Sequence, residues 1–315
     1  MAAAPLPIGL RVMGGLGNQL FQLAVAIHLR DVVGVPVVLD RQFYADDWPD
    51  MDNRDLEIEA LPHGFTMIRG RSMQRMSRIR NLPRTVQRRL TTRGARSVLF
   101  NDAVAEARAV TDPSPKALAL IALSENEPPF FQSAGPPLAN AEVMRSLLEG
   151  RIPLAFQPVV DAPYVAVHSR LGDYLNDRWR AELGPTDPAS LLALGRQLSQ
   201  RHGGLPVRVF TDSPGLFTQL CPNSPTDPYE LSDAVTSWDV LTGLARASAL
   251  VMSNSTLSWW AAFIATWYRT EPVEILMPHP WYAAPSSADD LLPLPGWTRF
   301  ERALLDDSVV RTPEP

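Results

Sequence analysis

The most constraining feature of this chain is an apolar strand that runs directly into a glycine turn and an apolar helix near the N-terminus. Residues 13–26 read Met-Gly-Gly-Leu-Gly-Asn-Gln-Leu-Phe-Gln-Leu-Ala-Val-Ala. Unpaired N–H groups and the helix dipole make such a helix N-terminus an anion site, and Gly15 and Gly17 let a phosphate or a sugar approach the backbone. Asn18 and Gln19 add amide donors and acceptors there. The last glycine of a dinucleotide fingerprint and the lysine of a Walker loop are both absent, which disfavours those two nucleotide-binding loops.

Short apolar segments alternate with helical stretches along the chain, a pattern typical of parallel α/β architecture. A proline-rich stretch at 128–163 interrupts the pattern, and we interpret it as a linker with one helix at 139–149. The length of 315 residues fits two domains, predicted as 1–155 and 156–315. The predicted strands are 8–13 and 35–39 in the first half and 164–168, 207–210, 249–252 and 273–277 in the second. Sheets of this kind bind ligands at the carboxyl ends of their strands.

The composition excludes several other classes of protein. With 45% apolar and 20% charged residues, the chain can bury substantial cores and is not disordered. No apolar run approaches the roughly 18 residues that span a bilayer, and residues 1–7 lack the basic region of a signal peptide. The single cysteine, Cys221, excludes an internal disulfide and a cysteine-based zinc site. We therefore expect a soluble, cytoplasmic protein.

The segment from Arg69 to Arg96 stands apart because it holds ten arginines and no acidic residue. The simpler interpretation is a solvated helical face. The alternative is electrostatic contact with an anionic surface, such as the inner face of a membrane. Nucleic acid is disfavoured as a partner because the whole chain has a net charge of −5 and aromatic residues are not interleaved with the arginines.

A cluster of polar residues follows the strand predicted at 164–168, where the chain reads His-Ser-Arg-Leu-Gly-Asp-Tyr. Arg170 is suited to a diphosphate because its planar guanidinium donates two hydrogen bonds at once and carries a permanent charge. His168 and Asp173 are placed to orient that guanidinium or to serve a second substrate. The alternative is an ordinary strand-end salt bridge between Arg170 and Asp173.

Two further strand ends carry polar motifs. The strand at 207–210 is followed by Thr211 and Asp212, where a carboxylate can accept hydrogen bonds from a nucleoside; the alternative is a helix N-cap. The next predicted strand runs into hydroxyl and amide side chains in the first turn of a helix, an anion-binding geometry. These side chains are Asn254, Ser255, Thr256 and Ser258. Trp259 and Trp260, which follow, are expected to pack in the core.

Taken in order, the four motifs resemble those of one family, the α-1,2-fucosyltransferases of glycosyltransferase family 11. Its members carry a Gly-Gly-Leu-Gly-Asn-Gln opening, then segments like His-x-Arg-Arg-Gly-Asp-Tyr, Phe-Ser-Asp-Asp and Asn-Ser-Ser-Phe-Ser-Trp-Trp. The corresponding residues of this chain are 14–19, 168–174, 210–213 and 254–260. The chain departs from the pattern at Leu171, where the family has a second arginine, and also at Leu23 and Ser213.

The resemblance implies a GT-B fold, in which two Rossmann-like domains face a cleft. It also implies inverting, metal-independent transfer of L-fucose from GDP-fucose to the O2 of a terminal galactoside. Arg170 would then bind the diphosphate and Asp212 the guanosine. Asn18 would contact the fucose or the β-phosphate, and Asp173 is the candidate base for the acceptor hydroxyl.

The resemblance thus defines a set of expected site residues, mostly in the predicted C-terminal domain. The implied catalytic residues are Asn18, His168, Arg170 and Asp173. The implied donor-binding residues are Gly15, Gly17, Gln19, Arg170, Thr211, Asp212, Asn254, Ser255, Thr256 and Ser258. The expected partners are a nucleotide-sugar donor and an oligosaccharide or glycoconjugate acceptor, with no metal cofactor.

Two alternatives remain open from the sequence. One is the same scaffold with a different donor or acceptor sugar, which Leu171 leaves open. The other is a non-catalytic homologue that binds a nucleotide sugar. A lipid-linked polysaccharide unit is the acceptor that a bacterial cytoplasmic enzyme of this kind would meet, and it would bring the basic segment close to a membrane.

Overall fold

The computed structural model describes residues 8–45, 55–69, 95–97, 119–122, 129–157, 162–284 and 286–306. The chain divides into two compact units, Met1–Leu147 and Leu148–Pro315, which are described separately. Most of the arginine-rich segment, residues 70–94, lies outside the described residues. None of the helices in the described ranges combines the length and the apolar character that a bilayer crossing requires.

The first unit is built on a five-stranded sheet whose strand pairs are all parallel. Its strands are β1 (Ile8–Arg11), β2 (Val37–Asp40), β3 (Thr66–Ile68), β4 (Ala95–Ser97) and β5 (Ala119–Ala122), in the order β3-β2-β1-β5-β4. Helix α1 (Leu16–His28) follows β1 after the glycine turn, and nearly all of its residues are buried. An almost entirely apolar helix of this kind belongs in the interior of a unit, so the sequence pattern and the burial agree.

The proline-rich stretch is more structured than the sequence analysis predicted. It contains two α-helices, α2 (Gly135–Ala139) and α3 (Ala141–Glu149), where one helix was expected. Two 3₁₀ turns, Pro129–Phe131 and Pro153–Phe156, flank them. Prolines occupy the first positions of α2 and of the second 3₁₀ turn, where a missing N–H removes no helical hydrogen bond. Proline therefore starts these elements and does not exclude them.

The second unit is a six-stranded sheet in which every strand pair is again parallel. Its strands are β6 (Val165–Ser169), β7 (Val207–Thr211), β8 (Glu230–Leu231), β9 (Ala249–Val251), β10 (Glu274–His279) and β11 (Thr298–Glu301). Its helices are α4 (Asp177–Glu182), α5 (Pro188–Arg201), α6 (Pro214–Leu220), α7 (Ser237–Arg246) and α8 (Thr256–Trp267). Side chains of α5 and α6 form one core with the valines of β6 and β7.

The strand order of this second sheet is β11-β10-β9-β6-β7-β8. Numbered from its own first strand, that is the 3-2-1-4-5-6 order of a doubly wound Rossmann sheet. The chain reverses its winding direction between β6 and β9, which pair directly. Such a switch point opens a crevice at the carboxyl ends of the two strands, and this is where α/β sheets bind ligands.

The fold class predicted from the sequence, α/β with two Rossmann-like units as in a GT-B protein, is confirmed. The six strands predicted from apolar segments are β1, β2, β6, β7, β9 and β10, each within a few residues of its predicted bounds. Trp259 and Trp260 are fully buried, as expected, and Trp259 donates a hydrogen bond from its indole nitrogen to the Leu292 carbonyl at 2.8 Å.

Candidate functional site

The candidate site of the second unit lies at its switch point, where the loops that follow β6 and β9 meet. The two loops are joined by His168 Nδ1 and Ser253 Oγ, which are 2.9 Å apart. His168 lies near the end of β6, whose five residues are all buried, and Ser253 comes two residues after β9. The second and fourth sequence motifs therefore lie on the two sides of the crevice.

Arg170 is held between two carboxylates just past the end of β6. Its Nη2 donates to Asp173 Oδ1 at 2.7 Å, and its Nη1 lies 2.9 Å from Asp212 Oδ2. The Arg170 side chain is 19% exposed, so part of it remains available to a ligand. Burial acts to lower its pKa, but the charges of Asp212 and Asp173 outweigh burial and raise it. Arg170 is therefore a permanent cation at the switch point.

Asp212 uses both of its carboxylate oxygens inside the protein. While Oδ2 pairs with Arg170, Oδ1 accepts the Leu171 N–H at 2.9 Å. The next residue of the β7 loop repeats the contact, because Ser213 Oγ accepts the Gly172 N–H at 3.3 Å. A Cβ on Gly172 would collide with Asp212 Oδ2, so this close approach of the two loops requires glycine. Asp212 thus orients Arg170, whereas its predicted contact with guanosine stays a prediction.

The departure of this chain from the family pattern has a structural counterpart at Leu171. The Leu171 side chain is fully buried and belongs to the hydrophobic core of the second unit. Leu171, directly after Arg170, therefore contributes apolar packing and a main-chain N–H to the site, and no charge.

His168 is 4% exposed, and its electrostatics follow from that burial. Desolvation, with a smaller contribution from the positive charge of Arg170, lowers the pKa of His168 to about 3. The imidazole is therefore neutral at physiological pH. Its one hydrogen bond in the described part of the chain joins Nδ1 to Ser253, and a neutral ring has a single N–H to place on either nitrogen.

Asn254 is buried and serves as a connection between three loops. Its Nδ2 donates to the Leu183 carbonyl at 3.0 Å and to the Gly184 and Trp281 carbonyls, each at 3.2 Å. Its Oδ1 accepts from Thr186 Oγ1 at 3.3 Å. The amide is fully engaged by the protein, so it holds these loops together, and its donor-binding role stays a prediction.

Tyr174 links this connection back to Arg170. Its hydroxyl donates to the Asn254 carbonyl oxygen at 3.1 Å, and the Arg170 guanidinium carbon lies 5.9 Å from the centre of its ring. Burial raises the pKa of the phenol, so it stays protonated and remains a hydrogen-bond donor. The ring thereby forms one wall beside the guanidinium.

The N-terminus of α8 faces this edge of the sheet because α8 follows β9 directly. Ser255 is the N-cap, with its Oγ accepting the Leu257 N–H at 3.4 Å. Ser258 Oγ donates to the Ser253 and Ser255 carbonyls. These two hydroxyls therefore build the turn, and Thr256 is the half-exposed hydroxyl of the predicted set. Main-chain N–H groups in a first helical turn lack intrahelical acceptors, which leaves an anion site there.

Thr211, the remaining predicted residue of this unit, ends β7. Its Oγ1 accepts the Ser213 N–H at 3.2 Å, which shapes the turn that carries Asp212. It therefore supports the loop that reaches Arg170.

In the first unit, the glycine turn is held by glutamine side chains. Gln19 is fully buried: its Nε2 donates to the Gly14 and Asp55 carbonyls at 2.9 and 2.8 Å. Its Oε1 accepts the N–H groups of Glu57 and Ile58. Every hydrogen-bonding position of this amide is used by the protein, so Gln19 fixes the turn, and its predicted contact with the donor remains untested.

Asn18 is half-exposed, whereas the other residues in the first turn of α1 are buried. Its Oδ1 accepts from Gln132 Nε2 at 3.1 Å. Gly14 has a φ of +78°, and a Cβ there would lie 2.8 Å from Asn18 Nδ2, so glycine is required for two reasons. Gly15 is the N-cap of α1 without a capping side chain, and Gly17 is buried in the first turn.

The structure thus brings together His168, Arg170, Asp173 and Asp212 with the loop of Asn254, whereas Asn18, Gly15, Gly17 and Gln19 belong to the first unit. Sequence reasoning missed several residues that hold these sites: Gln22, Tyr44, Thr186 and Arg302. Gln22 and Tyr44 bond to the main chain of the glycine turn at Met13 and Gly14, and a polar residue in an apolar helix was the available signal for Gln22. No sequence signal pointed to Arg302.

The chain matches no protein-family model and no curated protein sequence. Its structure is similar to that of the fucosyltransferase NodZ from Bradyrhizobium, with a TM-score of 0.43 and 15% identity over 83% of this chain and 94% of that one. It is also similar to POFUT1 in complex with GDP (TM-score 0.40, 12% identity, 85% and 97% covered). A third is the E. coli heptosyltransferase WaaC with ADP (TM-score 0.42, 11% identity, 94% and 93% covered). Likenesses at this level do not establish a function, and membership of glycosyltransferase family 11 stays a prediction.

Proposed function

We propose that this chain is a glycosyltransferase that uses a nucleoside-diphosphate sugar, with its donor diphosphate at the switch point of the second unit. The observation that carries the proposal is the part-buried guanidinium of Arg170, which lies at that switch point. Just before Arg170, His168 is hydrogen-bonded to Ser253, and this bond ties the end of β6 to the loop that leads into α8. A diphosphate combines the two features that such a site recognises, namely negative charge and paired oxygen acceptors.

Within that class, we propose the inverting transfer of L-fucose from GDP-fucose to the O2 of a terminal galactoside. This finer assignment is supported by the order of the four motifs that resemble the α-1,2-fucosyltransferases. The oligosaccharide or glycoconjugate acceptor and the metal independence belong to the same proposal.

The chemistry asked of this site is stabilisation of the charge that develops on the departing diphosphate. Preorganised donors at such a position are worth about 3 kcal/mol or more each, equivalent to roughly 100-fold in rate. Arg170 is preorganised because Asp173 and Asp212 hold its two Nη atoms. The helix N-terminus of α8 adds oriented main-chain dipoles.

His168 contributes as a neutral group, since its pKa of about 3 keeps it uncharged. When the Ser253 hydroxyl donates to Nδ1, the ring proton lies on Nε2 and is available to a phosphate or sugar oxygen. Asp173 keeps its proposed role as base for the acceptor hydroxyl. Because its Oδ1 is bonded to Arg170, the same group couples the acceptor to the donor site.

The test is fucose transfer to lactose from GDP-fucose, in the presence of EDTA, by the wild type, Arg170→Ala and Arg299→Ala. Arg299 is an exposed arginine on β11 and serves as the control. Fucosyllactose from the wild type and Arg299→Ala, with at least a 100-fold lower rate from Arg170→Ala, is the expected result. Binding of GDP without product from any galactoside would overturn the fucosyl assignment while keeping the nucleotide site. A wild type that binds no GDP would overturn both.

A further inference from the structure

Arg302, which comes directly after β11, is a buried arginine that holds main-chain carbonyls. It exposes 7% of its surface. Its Nη1 donates to the Leu183 and Gly184 carbonyls at 2.9 and 2.7 Å, and its Nη2 donates to the Tyr282 carbonyl at 2.6 Å. In the described part of the chain no carboxylate forms an ion pair with it. Burial lowers the pKa of Arg302 to about 10.

A buried guanidinium that forms no ion pair in the described part of the chain is a costly way to hold a loop, although the charge of Asp289 offsets part of the cost. Removing a cation from water costs several kcal/mol, and carbonyl dipoles offset only part of that cost. A neutral amide would bond the same carbonyls at a lower cost, as Asn254 does for Leu183 and Gly184. The place that Arg302 occupies in the fold therefore calls for an explanation.

That place is one hydrogen bond away from the candidate donor site. The Leu183 and Gly184 carbonyls are shared between Arg302 and Asn254. Asn254 lies on the loop between β9 and α8, and its own carbonyl accepts the Tyr174 hydroxyl at 3.1 Å. The Tyr174 phenol, in turn, interacts electrostatically with both Arg170 and Arg302, so both cations lie around one side chain.

The turn at Leu183 and Gly184 is held by the side chains of Arg302 and Asn254. Gly184 has a φ of +62°, and the neighbouring segment bonds to the end of the chain through Asp187 N–H to the Ala303 carbonyl at 2.9 Å and Leu305 N–H to the Pro185 carbonyl at 3.0 Å. Arg302 begins this last described segment. Its side chain therefore fixes the position of the turn on which Asn254 depends.

We propose that Arg302 is a positioning residue of the donor site, acting through the Leu183–Gly184 turn and Asn254 to set the N-terminus of α8 and the Tyr174 ring beside Arg170. The inference rests on the proposed binding of a nucleoside diphosphate. It assigns to the segment directly after β11 a role in donor affinity that none of the four sequence motifs indicates.

The chain contains a matched control for this proposal in Arg269. Its side chain is 3% exposed, its Nη1 donates to the Ala245 and Ala247 carbonyls at 3.1 and 2.8 Å, and burial lowers its pKa as well. Those carbonyls precede β9, so Arg269 performs the same task at the amino edge of the sheet, away from the donor site. Arg302→Met and Arg269→Met each remove a buried guanidinium that bonds main-chain carbonyls, although Arg269 also has Glu271 Oε2 at 3.8 Å from its Nε.

The experiment measures the Kd for GDP by calorimetry and the unfolding midpoint in urea for the wild type, Arg302→Met, Arg302→Lys and Arg269→Met. We expect both methionine variants to lose stability, and Arg302→Met alone to weaken GDP binding, by roughly tenfold. Arg302→Lys, which keeps a cation near the carbonyls but loses the second Nη donor, should bind GDP with intermediate affinity. It also provides the affinity comparison if Arg302→Met does not fold.

A double-mutant cycle with Asn254→Ala tests the route through Asn254. If Arg302 acts through Asn254, the losses of GDP affinity in the single variants do not add in the double variant. Equal effects of Arg302→Met and Arg269→Met on the Kd, or full additivity in the cycle, would overturn the inference. Absence of GDP binding by the wild type would instead overturn the proposed function, and this inference with it.

Discussion

At the scale of single residues, the candidate donor site is governed by how charge is distributed around Arg170. Two carboxylates and one guanidinium leave this cluster with a net negative charge, although the ligand proposed for it is an anion. Asp212 lies where a phosphate oxygen would also be stable, since it takes both a guanidinium N–H and the Leu171 N–H. The carboxylates therefore orient Arg170 and also compete with the ligand for it.

Asp212→Asn is expected to bind GDP more tightly than the wild type, by about three- to tenfold. The amide oxygen still accepts the Leu171 N–H, so the loop is kept, while one negative charge beside the diphosphate is removed. Asp212→Ala loses that acceptor too and should bind GDP more weakly. Calorimetric Kd values for the pair decide the matter. If Asp212 instead binds the guanosine, Asp212→Asn will weaken binding.

Acidification from about pH 7 to about pH 5 is expected to destabilise the wild type more than His168→Gln. Burial, with a contribution from Arg170, lowers the pKa of His168 from 6.5 to about 3, so in this interval the unfolded chain takes up a proton that the folded chain does not. The contribution of His168 to the free energy of unfolding is present in full above the pKa of the unfolded chain. As the pH decreases below that value, the contribution is lost by up to about 1.4 kcal/mol per pH unit. Urea unfolding at both pH values measures the difference, and equal losses in the two proteins would contradict it.

At the scale of elements, the site depends on close approaches between neighbouring loops. The loops after β6 and β7 meet at Gly172, and those after β9 and α4 meet at Asn254. At each meeting point a side chain of one loop bonds to main-chain groups of the other. Because every residue has these main-chain groups, the second loop needs no sequence motif. These hydrogen bonds fix the positions of the loops at the switch point.

Gly172→Ala is expected to destabilise the protein by about 1–3 kcal/mol and to weaken GDP binding, because its Cβ would displace Asp212 Oδ2 from Arg170. Gly215→Ala is the control: a Cβ there meets open space within α6, so the change should be neutral or slightly stabilising. Urea unfolding and the Kd for GDP are the measurements. Equal behaviour of the two variants would show that the loop contact does not matter.

At the scale of the whole molecule, the two units share an architecture but differ in what their first loops do. Each is built on a parallel sheet whose first strand is followed by a polar loop. In the first unit, the side-chain amides of Gln19 and Gln22 hydrogen-bond to the main chain of the glycine turn. In the second, Arg170 keeps part of its surface open. The second unit is therefore the one that the proposed donor should stabilise.

Saturating GDP is expected to raise the free energy of unfolding of the wild type by about 2.7 kcal/mol when its concentration is 100 times the Kd. Hydrogen exchange should show the gain in protection within residues 165–176 and 252–260, and not in 14–22. Arg170→Ala should show neither change at the same GDP concentration. Protection confined to the glycine turn would place the nucleotide in the first unit and contradict the proposed site.

The alternation of apolar segments and helical stretches was sufficient to predict the α/β class, two units and six of the strands. This follows because strands buried on both faces must be apolar along their length, a property that is local in sequence. The same reasoning placed polar residues at the ends of β6, β7 and β9. In the proline-rich stretch the helix predicted at 139–149 is present as α3, but α2 was missed, because proline in the first turn of a helix cannot be told from proline in a linker by sequence alone.

What the sequence by itself determined is thus the set of strands, the polar motifs at their ends and a resemblance to one family of transferases. Only the tertiary structure decided which motif residues remain open to a ligand: Asn18, Arg170 and Thr256 keep part of their side chains exposed, while Gln19 and Asn254 are buried and bond within the protein. It also revealed Arg302, which lies 118 residues along the chain from Gly184. The physical reason is that hydrogen-bond partners distant in sequence leave no local pattern, whereas burial and secondary structure do.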